Sequence, residues 1–76
     1  LHHRTARTRL RLGRCLTDQH RYAEAEPLMI DAFEVFKTVY GIDNAETQRS
    51  LEQVITLYEA WGHPEKAIPY QNQLAA

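Results

Sequence analysis

Apolar residues along the chain recur at three- and four-residue intervals, and strand-like alternation is absent, so the pattern predicts helices throughout. A first helix is predicted over about 5–18, with Leu12 and Leu16 one turn apart on its apolar side and Leu10 nearby. Gln19-His20-Arg21 makes a short polar turn. A second, strongly amphipathic helix follows from Tyr22 to about Val39, with Ala25, Leu28, Met29, Ala32, Phe33, Phe36 and Val39 forming one broad stripe. Gly41 stands where a left-handed residue commonly closes a helix. Asp43 with Glu46 three residues on reads as a capping box, which starts a third helix near Asn44. That helix has Leu51, Val54, Ile55, Tyr58 and Trp61 as its core face, and Gly62 stops it. Pro64 suits the first turn of a fourth helix, where its missing N–H costs nothing, and Ala67, Ile68, Tyr70 and Leu74 follow as its apolar side. Short turns force paired helices to run antiparallel. The expected architecture is all-α: two antiparallel helical hairpins in series, at about 5–40 and 44–75, within one domain over 1–76.

The chain also repeats itself. An offset of 42 residues places Ala25 on Ala67, Pro27 on Pro69, Thr5 on Thr47, Arg7 on Arg49, Leu12 on Val54 and Leu16 on Tyr58. A proline inside a helix removes a backbone hydrogen bond. Its recurrence two residues after an alanine in both units points to one ancestral hairpin, and helix pairs at this period indicate a solenoid. Leu12-Gly13, Leu16, Tyr22, Ala25 and Ala32 resemble a tetratricopeptide repeat at the positions which that family keeps apolar or small. Leu51, Val54, Tyr58, Gly62, Ala67 and Leu74 match again in the second unit, while Ile55 and Pro64 depart from the pattern. The period exceeds the usual value of about 34 residues. The string from Tyr22 to Leu28, the long second helix and Gly41-Ile42-Asp43 are similar to the longer, kinesin-light-chain-like variety. The stretch from Leu57 to Ala67 also resembles repeats behind some bacterial serine/threonine kinases. The resemblance implies an αα-superhelix in which Gly13, Ala25, Ala32 and Ala67 let backbones approach, and Phe36, Tyr58 and Trp61 fill the space between hairpins. About three repeats are usually needed for stability, so two imply packing against preceding repeats of a longer parent or against a second copy.

Composition agrees with that expectation. Seventy-six residues, 43% of them hydrophobic and 25% charged, make a small soluble-type domain near the size where one core is marginal. Cys15 is the lone cysteine, which excludes an internal disulfide, and no spacing resembles a zinc site. No apolar run approaches the roughly 20 residues of a membrane span. The chain opens without methionine and in a basic, helix-favouring stretch, which reads as a piece of a longer protein. A lone reduced cysteine favours the cytoplasm; a membrane-tethered parent would place the repeats outside it.

Candidate chemistry is thin. Cys15 reads as a packed thiol, His2, His3, His20 and His63 as terminal or turn residues, and Glu24, Glu26, Asp31 and Glu34 as a solvated face. Tyr58 and Trp61 read as core. There is no phosphate-binding loop, no nucleophile with a base, and no metal or cofactor constellation, so the expectation is a non-enzyme.

Charge supplies the functional clue. Net charge is close to zero, yet Arg4, Arg7, Arg9, Arg11 and Arg14 all precede the first acid, Asp18. Arg4, Arg7, Arg11 and Arg14 share one helix face, and like charges one turn apart repel by a few tenths of a kcal/mol per pair. In the family resembled, the first helix of each hairpin lines the concave groove. Its register implies groove positions at Arg7, Leu10, Arg11, Arg14 and Arg49, with Glu52, Gln53 and Thr56 beside them. One reading is a groove for an acidic or carboxylate-bearing peptide. Another pairs the arginines with acids of a preceding repeat, or with Glu24, Glu26 and Asp31 on the neighbouring helix. Nucleic acid is disfavoured because the whole chain is not basic and aromatics do not interleave the arginines. The expected function is a protein–protein interaction module. Alternatives are a regulatory tail of a kinase, or a solenoid cap whose polar outer side is Glu65, Lys66, Gln71, Asn72 and Gln73.

Overall fold

The computed structural model describes the backbone of residues 3–74 and the side chains of residues 5–74. The expectations for His2, for the side chains of His3 and Arg4, and for Ala75 and Ala76 lie outside the described residues. Four helices form in the predicted order: α1 (His3–Asp18), α2 (Tyr22–Tyr40), α3 (Ala45–Trp61) and α4 (Pro64–Gln71). No strand occurs among the described residues. The last helix is shorter than expected. Asn72 caps it, and Leu74 lies half-buried against the core beyond its end.

The two tight turns are built alike, residue for residue, at the 42-residue offset. At the first, Arg21 N–H donates to Leu16 O (2.8 Å) and His20 N–H to Thr17 O (2.9 Å). At the second, His63 N–H donates to Tyr58 O (2.9 Å) and Gly62 N–H to Glu59 O (3.2 Å). These paired bonds satisfy the carbonyls that a helix end orphans, and they require a left-handed residue just past the helix. Gly62 adopts it at φ 81°, and His20 adopts it at φ 62° despite its side chain. Gly41 differs from expectation: at φ 88°, ψ 162° it is extended and outside the left-handed helical well, a conformation open essentially to glycine alone. The capping residue also differs. Asn44 Oδ1 accepts from Glu46 N–H at 2.8 Å, so Asn44 caps α3 in place of Asp43 and the Glu46 side chain is left for other partners. Pro27 and Pro69 both lie on exposed sides of their helices, where water can serve the carbonyls they leave unbonded.

Packing centres on α2. Met29, Ala32, Phe33 and Phe36 are essentially inaccessible, with α1 on one side and α3 on the other. Burying each phenylalanine contributes about 1.5–3 kcal/mol. Met29 lies directly over Gly13: a Cβ built on Gly13 would stand 2.3 Å from Met29 Cγ. A buried polar pair ties α3 to α2, since Thr47 Oγ1 donates to Phe36 O (3.0 Å) and Ser50 Oγ donates to Thr47 O (2.7 Å). The second hairpin closes on the first through aromatic contacts. Tyr70 meets Phe33 edge-on with centroids 6.0 Å apart, Trp61 stacks on Tyr22 at 5.9 Å, and Tyr58 Oη donates to Glu26 Oε2 at 2.7 Å.

Several expectations about the core are corrected. Leu12 is 50% exposed and Val39 51%, because they lie on the outer side of hairpin one, which no described element covers. Cys15 is exposed on the same hairpin, where a packed thiol was expected. Ile68, expected on the apolar side of α4, is 53% exposed. Glu26 is half-buried under Tyr58 and so leaves the solvated face.

Gly13→Ala removes the clearance that Met29 occupies and should destabilise the fold by about 1–3 kcal/mol, despite alanine's better helix propensity. In a Met29→Ala background the same change should be neutral or stabilising, a non-additivity that a double-mutant cycle in urea would measure. Burial, and then donation to Glu26, push the Tyr58 phenol above its ordinary range; burial raises Tyr70 as well. The folded state therefore favours the neutral phenols. Their contribution is complete below about pH 10 and is lost as the pH rises beyond it, where the unfolded chain ionises first. Tyr58→Phe should lower the melting temperature near neutrality and flatten its decline in alkaline melts.

Candidate peptide-binding cleft

On the side where α1 and α3 lie next to each other, a cleft of about 340 Å³ opens between them. Its lining is Arg7, Leu10, Arg11 and Arg14 from α1, with Glu46 and Arg49 from α3. Helical spacing puts the α1 residues on one face, one turn after another. Leu10 is only 9% exposed and anchors that face in the core, so the arginines rise around an apolar floor.

Five of the residues predicted from the repeat register are thus brought together: Arg7, Leu10, Arg11, Arg14 and Arg49. Glu52, Gln53 and Thr56 do not line the cleft. They continue from Arg49 along the same face of α3, with Glu52 and Thr56 exposed and Gln53 half-buried. Glu46 is the lining residue that sequence reasoning missed. Its spacing of three from Arg49 was the available signal, but the expected capping box assigned its carboxylate to the backbone.

Glu46 sets the electrostatics. Its carboxylate lies between Arg7 (3.9 Å) and Arg49 (3.5 Å), so one end of the cleft is partly compensated. The acids of α2, considered as partners for these arginines, are engaged elsewhere. Glu24 pairs with Arg21, whose Nη2 lies 2.8 Å from Glu24 Oε1; Glu26 accepts from Tyr58; Asp31 lies 3.7 Å from Arg9. Among the described residues, no acid lies within ion-pair distance of Arg11 or Arg14. The lining thus carries four guanidinium groups and one carboxylate, which two of them share, and each guanidinium can grip an oxyanion with two parallel hydrogen bonds.

Tyr58 and Trp61 pack as expected of core residues. Tyr58 is buried, and Trp61 is covered by Tyr22 on one side and by Lys66, whose Nζ lies 5.3 Å from its ring centroid. Together these rings join the hairpins. Among the described residues no group of histidine, cysteine or acidic side chains could hold a metal, and no helix is long and apolar enough to cross a membrane.

Residues 4–76 match the family profile of the tetratricopeptide repeat, a helical module whose general role is protein–protein interaction. Neither a curated protein nor a solved structure matches the chain. The profile spans nearly every residue, and four helices in two like-built hairpins are the architecture it requires: the chain belongs to the tetratricopeptide repeat family.

Proposed function

We propose that the α1–α3 cleft recruits a protein partner by holding an extended acidic or carboxylate-bearing peptide on the concave face of the repeat. The observation that carries this reading is the charge imbalance of the cleft: Arg7, Arg11, Arg14 and Arg49 face Glu46 alone. Holding like charges one turn apart is unfavourable, and an anionic ligand relieves it. Leu10 offers an apolar contact between the charged rows, which suits a peptide with an aliphatic residue beside its acids. Gln53 and Thr56, farther along the same face, supply hydrogen-bonding groups for a peptide backbone, and Glu52 disfavours extension of the acidic run towards the end of α3. A nucleic-acid strand fits poorly, since among the described residues no exposed aromatic stands beside the arginines to stack a base.

Titration of fluorescent acidic peptides against the intact chain tests this. An Asp/Glu-rich peptide with an internal leucine should bind, and its amide counterpart (Asn/Gln) should not. Arg11→Ala and Arg14→Ala should each weaken binding about tenfold, the size of one charge-assisted contact, without lowering the melting temperature, and added salt should weaken it further. Equal affinity for acidic and amide peptides, or no effect of either substitution, would remove the proposal.

A further inference from the structure

The positive charge of the cleft is engaged at one end and open at the other. Arg7 and Arg49 share the half-buried carboxylate of Glu46, at 3.9 and 3.5 Å. Arg11 and Arg14 continue the α1 side of the lining, and both are exposed. Among the described residues neither has an acid within ion-pair distance. Residues three apart on a helix are neighbours, with Cβ atoms about 5–6 Å apart, so these two guanidinium groups can converge on one ligand group. The cations of the lining are all arginine. The chain's two lysines lie elsewhere, Lys37 donating to Gln73 and Lys66 over the Trp61 ring. The cleft therefore offers planar forks with fixed donor geometry in place of mobile point charges.

That geometry selects among anions. A carboxylate has two oxygens and fills one fork. A phosphoryl group has three acceptor oxygens and close to two negative charges, so it can accept from two forks at once. Two carboxylates of an extended peptide engage the pair less well. Side chains on one face of such a peptide are two residues apart, about 7 Å, so each acid meets a single arginine.

We infer that the Arg11–Arg14 end of the cleft reads a phosphorylated side chain, and that the recruited partner is a phosphopeptide with an aliphatic residue beside the phosphate to meet Leu10. This rests on the cleft being a peptide site and narrows its ligand. Glu46 fixes the register: it occupies Arg7 and Arg49 and repels a second anion there, so the phosphoryl group is directed to the open pair. A peptide acidic along its whole length meets that repulsion, whereas one concentrated dianion avoids it. Phosphorylation of the partner thus switches its recruitment on.

Fluorescent peptides of one sequence, with a leucine beside the variable position, are titrated against the intact chain. That position carries phosphoserine, serine, or a pair of glutamates matching the phosphopeptide in charge. The phosphoserine peptide should bind about tenfold or more tighter than the diglutamate peptide, and the serine peptide should bind no more than marginally. Arg11→Lys and Arg14→Lys keep the charge and lose the fork. Each should weaken the phosphopeptide about tenfold while changing the diglutamate peptide less than twofold. Equal affinity for the two charged peptides would overturn the inference and leave an acidic-peptide cleft standing; no binding of either would remove both readings. Phosphopeptide binding that survives both lysine substitutions would reduce the effect to net charge and also sink it. Displacement of the phosphopeptide by equimolar inorganic phosphate, or equally tight binding of a single-stranded oligonucleotide of the same charge, would likewise count against it.

Discussion

The fold depends on one constraint: the apolar stripe of α2 is too wide for a single neighbour. Met29 faces α1 through the clearance at Gly13, while Phe36 offers its carbonyl to Thr47 of α3 and Phe33 offers its ring to Tyr70. An isolated helical hairpin would leave half of that stripe in water. Hairpin two covers it, and the two units become interdependent because neither buries its apolar surface without the other. The polar groups carried into this interface are all satisfied among the described residues, so the burial is not offset by lost hydrogen bonds.

That arrangement also creates the cleft. Once α3 has settled against both helices of hairpin one, α1 and α3 lie side by side and their remaining faces are held at a fixed separation. Arg7, Leu10, Arg11 and Arg14 then confront Glu46 and Arg49. Nothing in the packing requires arginine there, since the side chains project beyond the core that Leu10 belongs to. The charge is therefore available for recognition, with rigid helices to position it.

Helix order, hairpin pairing and the 42-residue repeat were all legible in the sequence, because periodicity and punctuation are local signals. The Pro27–Pro69 match foretold two turns whose hydrogen bonds coincide down to Leu16 and Tyr58. Most of the cleft was legible too, since helical spacing and the repeat register together fix which α1 residues meet α3. What was not legible depended on which neighbours are present. Leu12, Val39 and Cys15 have core-like identities, and only the structure shows that nothing described covers them. Glu46 was hidden by a competing local role that Asn44 fills instead. The Tyr58–Glu26 bond spans 32 residues and leaves no local signal.

If α2 binds the two hairpins into one unit, they must unfold as one. Urea unfolding followed by Trp61 fluorescence, which reports on hairpin two, and by far-ultraviolet circular dichroism, which reports on all helices, tests this on the native chain and on Phe36→Ala. The account predicts coincident transitions for both proteins, with the Phe36→Ala midpoint displaced equally for both probes. A Phe36→Ala protein whose circular dichroism transition moves while its Trp61 transition stays in place would show the hairpins to be independent and would contradict it.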